Sequence, residues 1–131
     1  MRYSRPMADD EQGRRILELM FLTAWADGRF EGSEAFAIHR LAGQFSQLDT
    51  GDIDLDARQR LQRYGLETCV REAAAGIHDR NQRELAFQCC AKVSGADGQF
   101  VPQEAQVLKL LRELWGFSRD DVERLLVLAT R

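Results

Sequence analysis

The sequence predicts an all-α domain, a compact bundle of six or seven helices, from three observations. Apolar residues recur at helical spacing in several stretches, capping residues stand at the ends of these stretches, and no stretch alternates with a period of two over the length of a strand. The chain has 131 residues, of which 44% are apolar, so it can bury one core and is too apolar to be disordered. We therefore expect a single domain over residues 1–131.

The apolar pattern divides the predicted helices into two kinds. Segments 12–26 and 82–95 are apolar around most of their circumference, which indicates helices at the centre of a bundle. Four other stretches have one apolar face, which is typical of outer helices. Their apolar positions are Ile38, Leu41, Ala42 and Phe45; Leu66, Cys69, Val70, Ala73 and Ile77; Val107, Leu110, Leu111 and Leu114; and Val122, Leu125, Leu126 and Ala129.

Start and stop signals predict where these helices begin and end. Pro102 fits the first turn of a helix, and Gly116 fits a left-handed C-terminal cap. The acidic stretch 49–56 is expected to be a solvated loop that leads into a helix. Three pairs have capping-box spacing or a looser version of it, namely Asp56 with Gln59, Asp79 with Gln82, and Ser118 with Asp121.

Charge and cysteine content exclude several classes of function. The 18 basic and 21 acidic residues give a net charge of −3, without the basic excess that a phosphate backbone requires, so we expect no nucleic-acid partner. Cys69, Cys89 and Cys90 are an odd number and lack CxxC spacing. This favours reduced thiols and a cytoplasmic location over disulfides or a thiolate zinc site.

The apolar run at 16–26 resembles the core of a signal peptide. Glu18 interrupts this run, acidic residues precede it, and it is too short to span a bilayer. We therefore expect a core helix here and no direct membrane insertion.

The chain contains an internal repeat. Residues 26–35, ADGRFEGSEA, recur 70 positions later at 96–105 as ADGQFVPQEA, with six of ten positions identical. The repeat predicts two helix–loop–helix units, at about 12–47 and about 79–117, joined by a central segment at about 48–78 and followed by a C-terminal helix over 118–131. We expect the two units to pack about a pseudo-twofold axis, because each then buries the other's apolar face.

Each copy of the repeat keeps an aspartate and a glutamate, Asp27 and Glu34 in the first copy and Asp97 and Glu104 in the second. Their spacing equals that in the second half of an EF-hand calcium loop, but the oxygen ligands of the first half are missing. A working EF-hand is therefore excluded. A divalent-cation site remains open, and it gains four carboxylates if the two loops meet in space.

A purely structural interpretation of the motif also remains open. Asp-Gly terminates helices because glycine adopts positive φ, which would explain Gly28 and Gly98. The side chains of Phe30 and Phe100 would fold back and pack on the two helices of their respective units. Both glutamates would stand in the first turn of the next helix, where the helix dipole favours negative charge.

No other set of residues forms a recognisable active site. His39 and His78 are isolated in the sequence, and no serine or cysteine has an identifiable base. There is also no glycine-rich phosphate loop, so we expect a protein without enzymatic activity. Trp25 and Trp115 are interpreted as anchors of the core.

The paired motif resembles the TerB-like tellurite-resistance family. The likeness rests on Ala-Asp-Gly, an apolar residue and a helix-starting glutamate, found twice in an all-α chain, and it extends from about residue 12 to the C-terminus. It implies a helical bundle with internal pseudo-symmetry that acts in bacterial stress response and binds a divalent metal, with calcium, magnesium, manganese and zinc as candidates. The residues that match the family's acidic positions, and are therefore the implied metal ligands, are Asp27, Glu34, Asp97 and Glu104.

The resemblance also bears on partners. A related domain occurs in membrane-anchored J-domain co-chaperones, which implies a protein partner that can be associated with a membrane. The alternative to metal binding is therefore a metal-free helical adaptor, or a co-chaperone-type protein-interaction domain.

Overall fold

The computed structural model describes residues 4–28, 30, 32–43, 49–96 and 101–130, with side chains described from residue 11 onward. In this part of the chain the prediction of an all-α fold is confirmed, with seven helices and no strand. The helices are α1 (Ser4–Ala24), α2 (Gly32–Ala42), α3 (Thr50–Tyr64), α4 (Leu66–Ala75), α5 (Arg80–Ser94), α6 (Pro102–Trp115) and α7 (Arg119–Ala129).

Helices α1 and α5 form the centre of the bundle, as their apolar circumference predicts. Helix α1 packs against α2, α3, α4, α5 and α6, and α5 packs against α1, α2, α6 and α7. Ile16, Leu17, Leu19 and Met20 in α1 are fully buried although they point in different directions. Burial of each such side chain contributes about 1.5–3 kcal/mol to the stability of the core.

The start of α3 differs from the prediction. The helix begins directly after Asp49, whose Oδ1 accepts hydrogen bonds from the amides of Gly51 and Asp52 at 3.0 and 3.2 Å. Asp56 therefore lies inside α3 and is not its cap, and most of the acidic stretch 49–56 is helical rather than a loop. The physical reason is twofold. An aspartate cap accepts hydrogen bonds from free backbone N–H groups at the helix N-terminus, and acidic residues in the first turn interact favourably with the helix dipole.

The other predicted helix ends are confirmed. The side chain of Asp79 caps α5, and Ser118 and Asp121 form a reciprocal capping box at α7, with hydrogen bonds of 3.1 and 3.0 Å. Pro102 is the first residue of α6. Gly116 ends α6 in the left-handed conformation with φ of 69°.

The helices that flank the motif end and begin at equivalent positions in its two copies. The helix before the motif ends at Ala24 in the first copy and at Ser94 in the second, and the helix after it begins at Gly32 and at Pro102. Both pairs of positions are 70 residues apart, which is the offset of the sequence repeat. The two segments therefore share helix boundaries as well as residues.

The three cysteines are free and buried. Burial raises the pKa of the Cys89 and Cys90 thiols to about 12, so both are protonated at neutral pH and chemically inert. Among the described helices, none combines the length and the apolar character needed to cross a membrane.

Candidate acidic site

Three of the four predicted metal ligands lie in the described part of the chain. Asp27 stands in the turn that follows α1, Glu34 in the first turn of α2, and Glu104 in the first turn of α6. The fourth, Asp97, lies outside the described residues, as does the rest of its loop at 97–100.

The structure brings the two glutamates together. Glu34 is 2% exposed and Glu104 is 3% exposed, and their carboxyl groups share a hydrogen bond. Burial is the largest cause that raises the pKa of Glu104 to about 9, followed by Glu34 and, as a smaller effect, the Asp27 carboxylate. Acidic residues from the first copy of the motif therefore face Glu104 of the second copy.

Glu104 also has a local role at its helix terminus. It is the third residue of α6, and its carboxyl accepts a hydrogen bond from the backbone N–H of Val101, the N-cap residue. This bond lowers the pKa of Glu104, against the larger effects of burial and Glu34. It is one half of a capping box, which supports the structural interpretation of this glutamate. Capping, however, is compatible with an exposed side chain and does not require burial against a second carboxyl.

Aromatic packing holds the first acidic loop against the end of α1. The ring of Phe30 meets the edge of Trp25 at a centroid distance of 4.9 Å, so the predicted fold-back of Phe30 is confirmed. Gly28 has φ of 82°, as its predicted role as a helix terminator requires. The equivalent predictions for Gly98 and Phe100 lie outside the described residues.

Trp25 is anchored from α3 as well. Its Nε1 donates a hydrogen bond of 2.9 Å to Oδ1 of Asp54, and the guanidinium of Arg58 lies 5.3 Å from the ring centroid. Asp54 thus lies in α3 rather than in the predicted solvated loop, and no sequence pattern points to Arg58. The contact between Trp25 and Asp54 could not be predicted from the sequence, because residues 29 positions apart leave no local pattern.

Glu18, which interrupts the apolar run of α1, is a further buried acid. It is 5% exposed in α1, and its Oε1 accepts a hydrogen bond of 2.9 Å from Nη1 of Arg15. Burial raises the pKa of Glu18, and Arg15 and Arg60 oppose that effect. The arrangement is a part-buried ion pair within α1, and the nearby positive charge of Arg60 in α3 also lowers the pKa of Glu18.

The acidic site supplies oxygen ligands, which suit hard cations such as magnesium, calcium and manganese. The described residues alone do not complete a ligand set, since they contain no group of three or more histidine, cysteine or acidic side chains arranged to hold a metal. His39 and His78 are both exposed.

No protein-family model, curated protein or solved structure matches this chain.

Proposed function

We propose that this chain is a non-enzymatic, TerB-like stress-response module that binds a divalent cation where its two acidic loops meet. Asp27, Glu34, Asp97 and Glu104 would supply the carboxylates. The observation that carries the proposal is the buried hydrogen-bonded contact between Glu34 and Glu104, residues 70 positions apart. Two adjacent buried carboxyls destabilise the fold unless a proton or a cation compensates their charge.

We infer a pseudo-twofold arrangement of the helices, and the packing pattern supports it. Helix α1 packs against α2 and α3 as α5 packs against α6 and α7, and α2 packs against α5 as α6 packs against α1. Exchanging α1–α2–α3 with α5–α6–α7 therefore maps each of these contacts onto another one. In this arrangement α4 connects the halves, and the inferred axis passes between the two glutamates.

The remaining features of the module are proposed on the same basis. With few carboxylates at the site, water would complete the coordination of a calcium, magnesium or manganese ion, so we expect a Kd on the order of 10⁻⁴–10⁻³ M. Three buried free thiols are consistent with the reducing environment of a bacterial cytoplasm. The resemblance to the TerB-like family implies a role in tellurite resistance, and we include that role in the proposal.

The experiment is a thermal-denaturation titration with calcium, magnesium, manganese and zinc. At a metal concentration of about 10 mM, a Kd of about 10⁻⁴–10⁻³ M means that binding to the folded state adds about 1.4–2.7 kcal/mol of stability, which raises Tm. The Glu34→Gln/Glu104→Gln variant keeps the side-chain volumes and should lose this rise. The matched control is Glu67→Gln/Glu113→Gln, which removes two exposed carboxylates and should keep it. The proposal fails if no metal raises Tm at millimolar concentration, or if both variants respond alike.

The alternative function is a metal-free helical adaptor or co-chaperone-type interaction domain. Phe36 favours it, since this aromatic side chain in α2 is 63% exposed. In that case the two glutamates act as helix caps, and the function lies at the protein surface.

A further inference from the structure

An apolar groove opens beside Phe36, where α2 runs near the C-terminal ends of α5 and α7. Its volume is about 370 Å³, and its apolar lining includes Phe36, Ala37, Leu41 and Ala129. We call it the Phe36 groove. The other described phenylalanines, by contrast, pack against the core or belong to it.

The charged residues that line the Phe36 groove are both basic. They are Arg40 and Lys92, and no acidic residue contributes to the described lining. The guanidinium of Arg40 lies 5.9 Å from the centroid of the Phe36 ring, so the positive charge borders the exposed aromatic surface. The groove is therefore basic, although the chain as a whole has a net charge of −3.

Arg40 and Lys92 also differ from several arginines that form ion pairs at the surface. Arginines on α1, α3, α4, α5 and α7 pair with carboxylates of this chain. Within the described residues, neither Arg40 nor Lys92 has such an ion pair. No described carboxylate of this chain neutralises their charges, so they can attract carboxylates of a partner.

We propose that the Phe36 groove binds a segment of a partner protein in which an apolar side chain is flanked by carboxylates. The apolar side chain would enter between α2 and Ala129, against Phe36, and the carboxylates would pair with Arg40 and Lys92. Because the groove is small, we expect weak binding that decreases as salt increases. The inference does not depend on the cation proposal, since none of the described candidate ligands, Asp27, Glu34 and Glu104, lines the groove.

The test uses two synthetic helical peptides that carry leucines at i, i+3, i+4 and i+7. One has glutamates at the flanking positions, and the other has lysines there. Fluorescence anisotropy is measured with labelled peptide in EDTA, at low and at high salt, so that a failure of the cation proposal does not affect the result. We expect the glutamate peptide to bind at low salt and the lysine peptide not to bind.

Variants of the protein test whether the glutamate peptide binds in the Phe36 groove. Arg40→Glu/Lys92→Glu should weaken binding of the glutamate peptide at least about tenfold, and Phe36→Ala should weaken it as well. Lys109→Glu changes an exposed lysine on α6 and is the matched control, which should bind as the wild type does. All four substituted residues are at the surface or on the groove wall, and far-UV circular dichroism verifies that each variant is folded.

Several results would overturn the inference. Equal binding of both peptides would show that charge does not select the partner, and an unchanged affinity in Arg40→Glu/Lys92→Glu would place the contact elsewhere. Binding of decanoate without binding of the glutamate peptide would assign the groove to a small amphiphile. Self-association of the wild type that Phe36→Ala abolishes would assign the groove to a second copy of this chain.

Discussion

At the scale of residues, the contact between Glu34 and Glu104 determines how the acidic site behaves. Both side chains are buried, so their charge is not screened by water. Without a cation, a proton on Glu104 allows the pair to form a hydrogen bond instead of repelling. Proton and cation are therefore alternative ways to stabilise the same contact.

This contact predicts a pH dependence of the metal-free protein. The pKa of Glu104 rises from 4.5 to about 9 on folding, so the folded state holds a proton that the unfolded chain releases above pH 4.5. The stabilisation is complete below the unfolded pKa and is lost as the pH rises through about 9. Free energies of unfolding from urea titrations in EDTA, between pH 5 and 9, should decrease with pH more steeply in the wild type than in Glu104→Gln.

Comparison of the wild type with Glu104→Gln separates the contribution of Glu104 to the pH dependence from that of other titrating residues. Glu18 is one of these, since its pKa is also raised. Glu18→Gln is the matched control, and it should keep the part of the slope that belongs to Glu104. Parallel curves for the wild type and Glu104→Gln would mean that Glu104 is ionised in the folded protein.

At the scale of elements, sequence signals were informative where they were local. Helical periodicity predicts α2, α4, α6 and α7, because each of them has one clear apolar face against the core. The first turns of α1 were not predicted, since the residues before position 12 are mostly polar and show no apolar period. The start of α3 was misplaced, because several aspartates in 49–56 could each cap a helix and only the backbone selects one.

The start of α3 can be tested with two alanine substitutions. Asp49→Ala removes the acceptor of two backbone amides and should cost about 1 kcal/mol of unfolding free energy. Asp56→Ala changes a helix-interior residue whose charge acts unfavourably on Glu18, so its effect should stay within about 0.5 kcal/mol. Denaturant unfolding of both variants measures the difference. A larger loss in Asp56→Ala than in Asp49→Ala would restore Asp56 as the cap.

At the scale of the whole molecule, the central question is whether the acidic residues of the two copies form one site. The sequence repeat predicts which residues correspond, and the first turns of α2 and α6 hold two of them as expected. Their meeting could not be predicted, because it depends on how α2 and α6 pack against the central pair α1 and α5. That packing places Glu34 against Glu104, and it makes a shared site our central claim.

The most direct test of this claim is the number of manganese ions bound per chain. It is measured by the loss of the free Mn²⁺ signal in electron paramagnetic resonance. If the loops form one shared site, the wild type binds one ion per chain, and either Glu34→Gln or Glu104→Gln alone removes it. Two ions per chain, with each single variant losing only one of them, would mean that the loops bind separately and would contradict the claim. Absence of any binding at millimolar Mn²⁺ would contradict it as well.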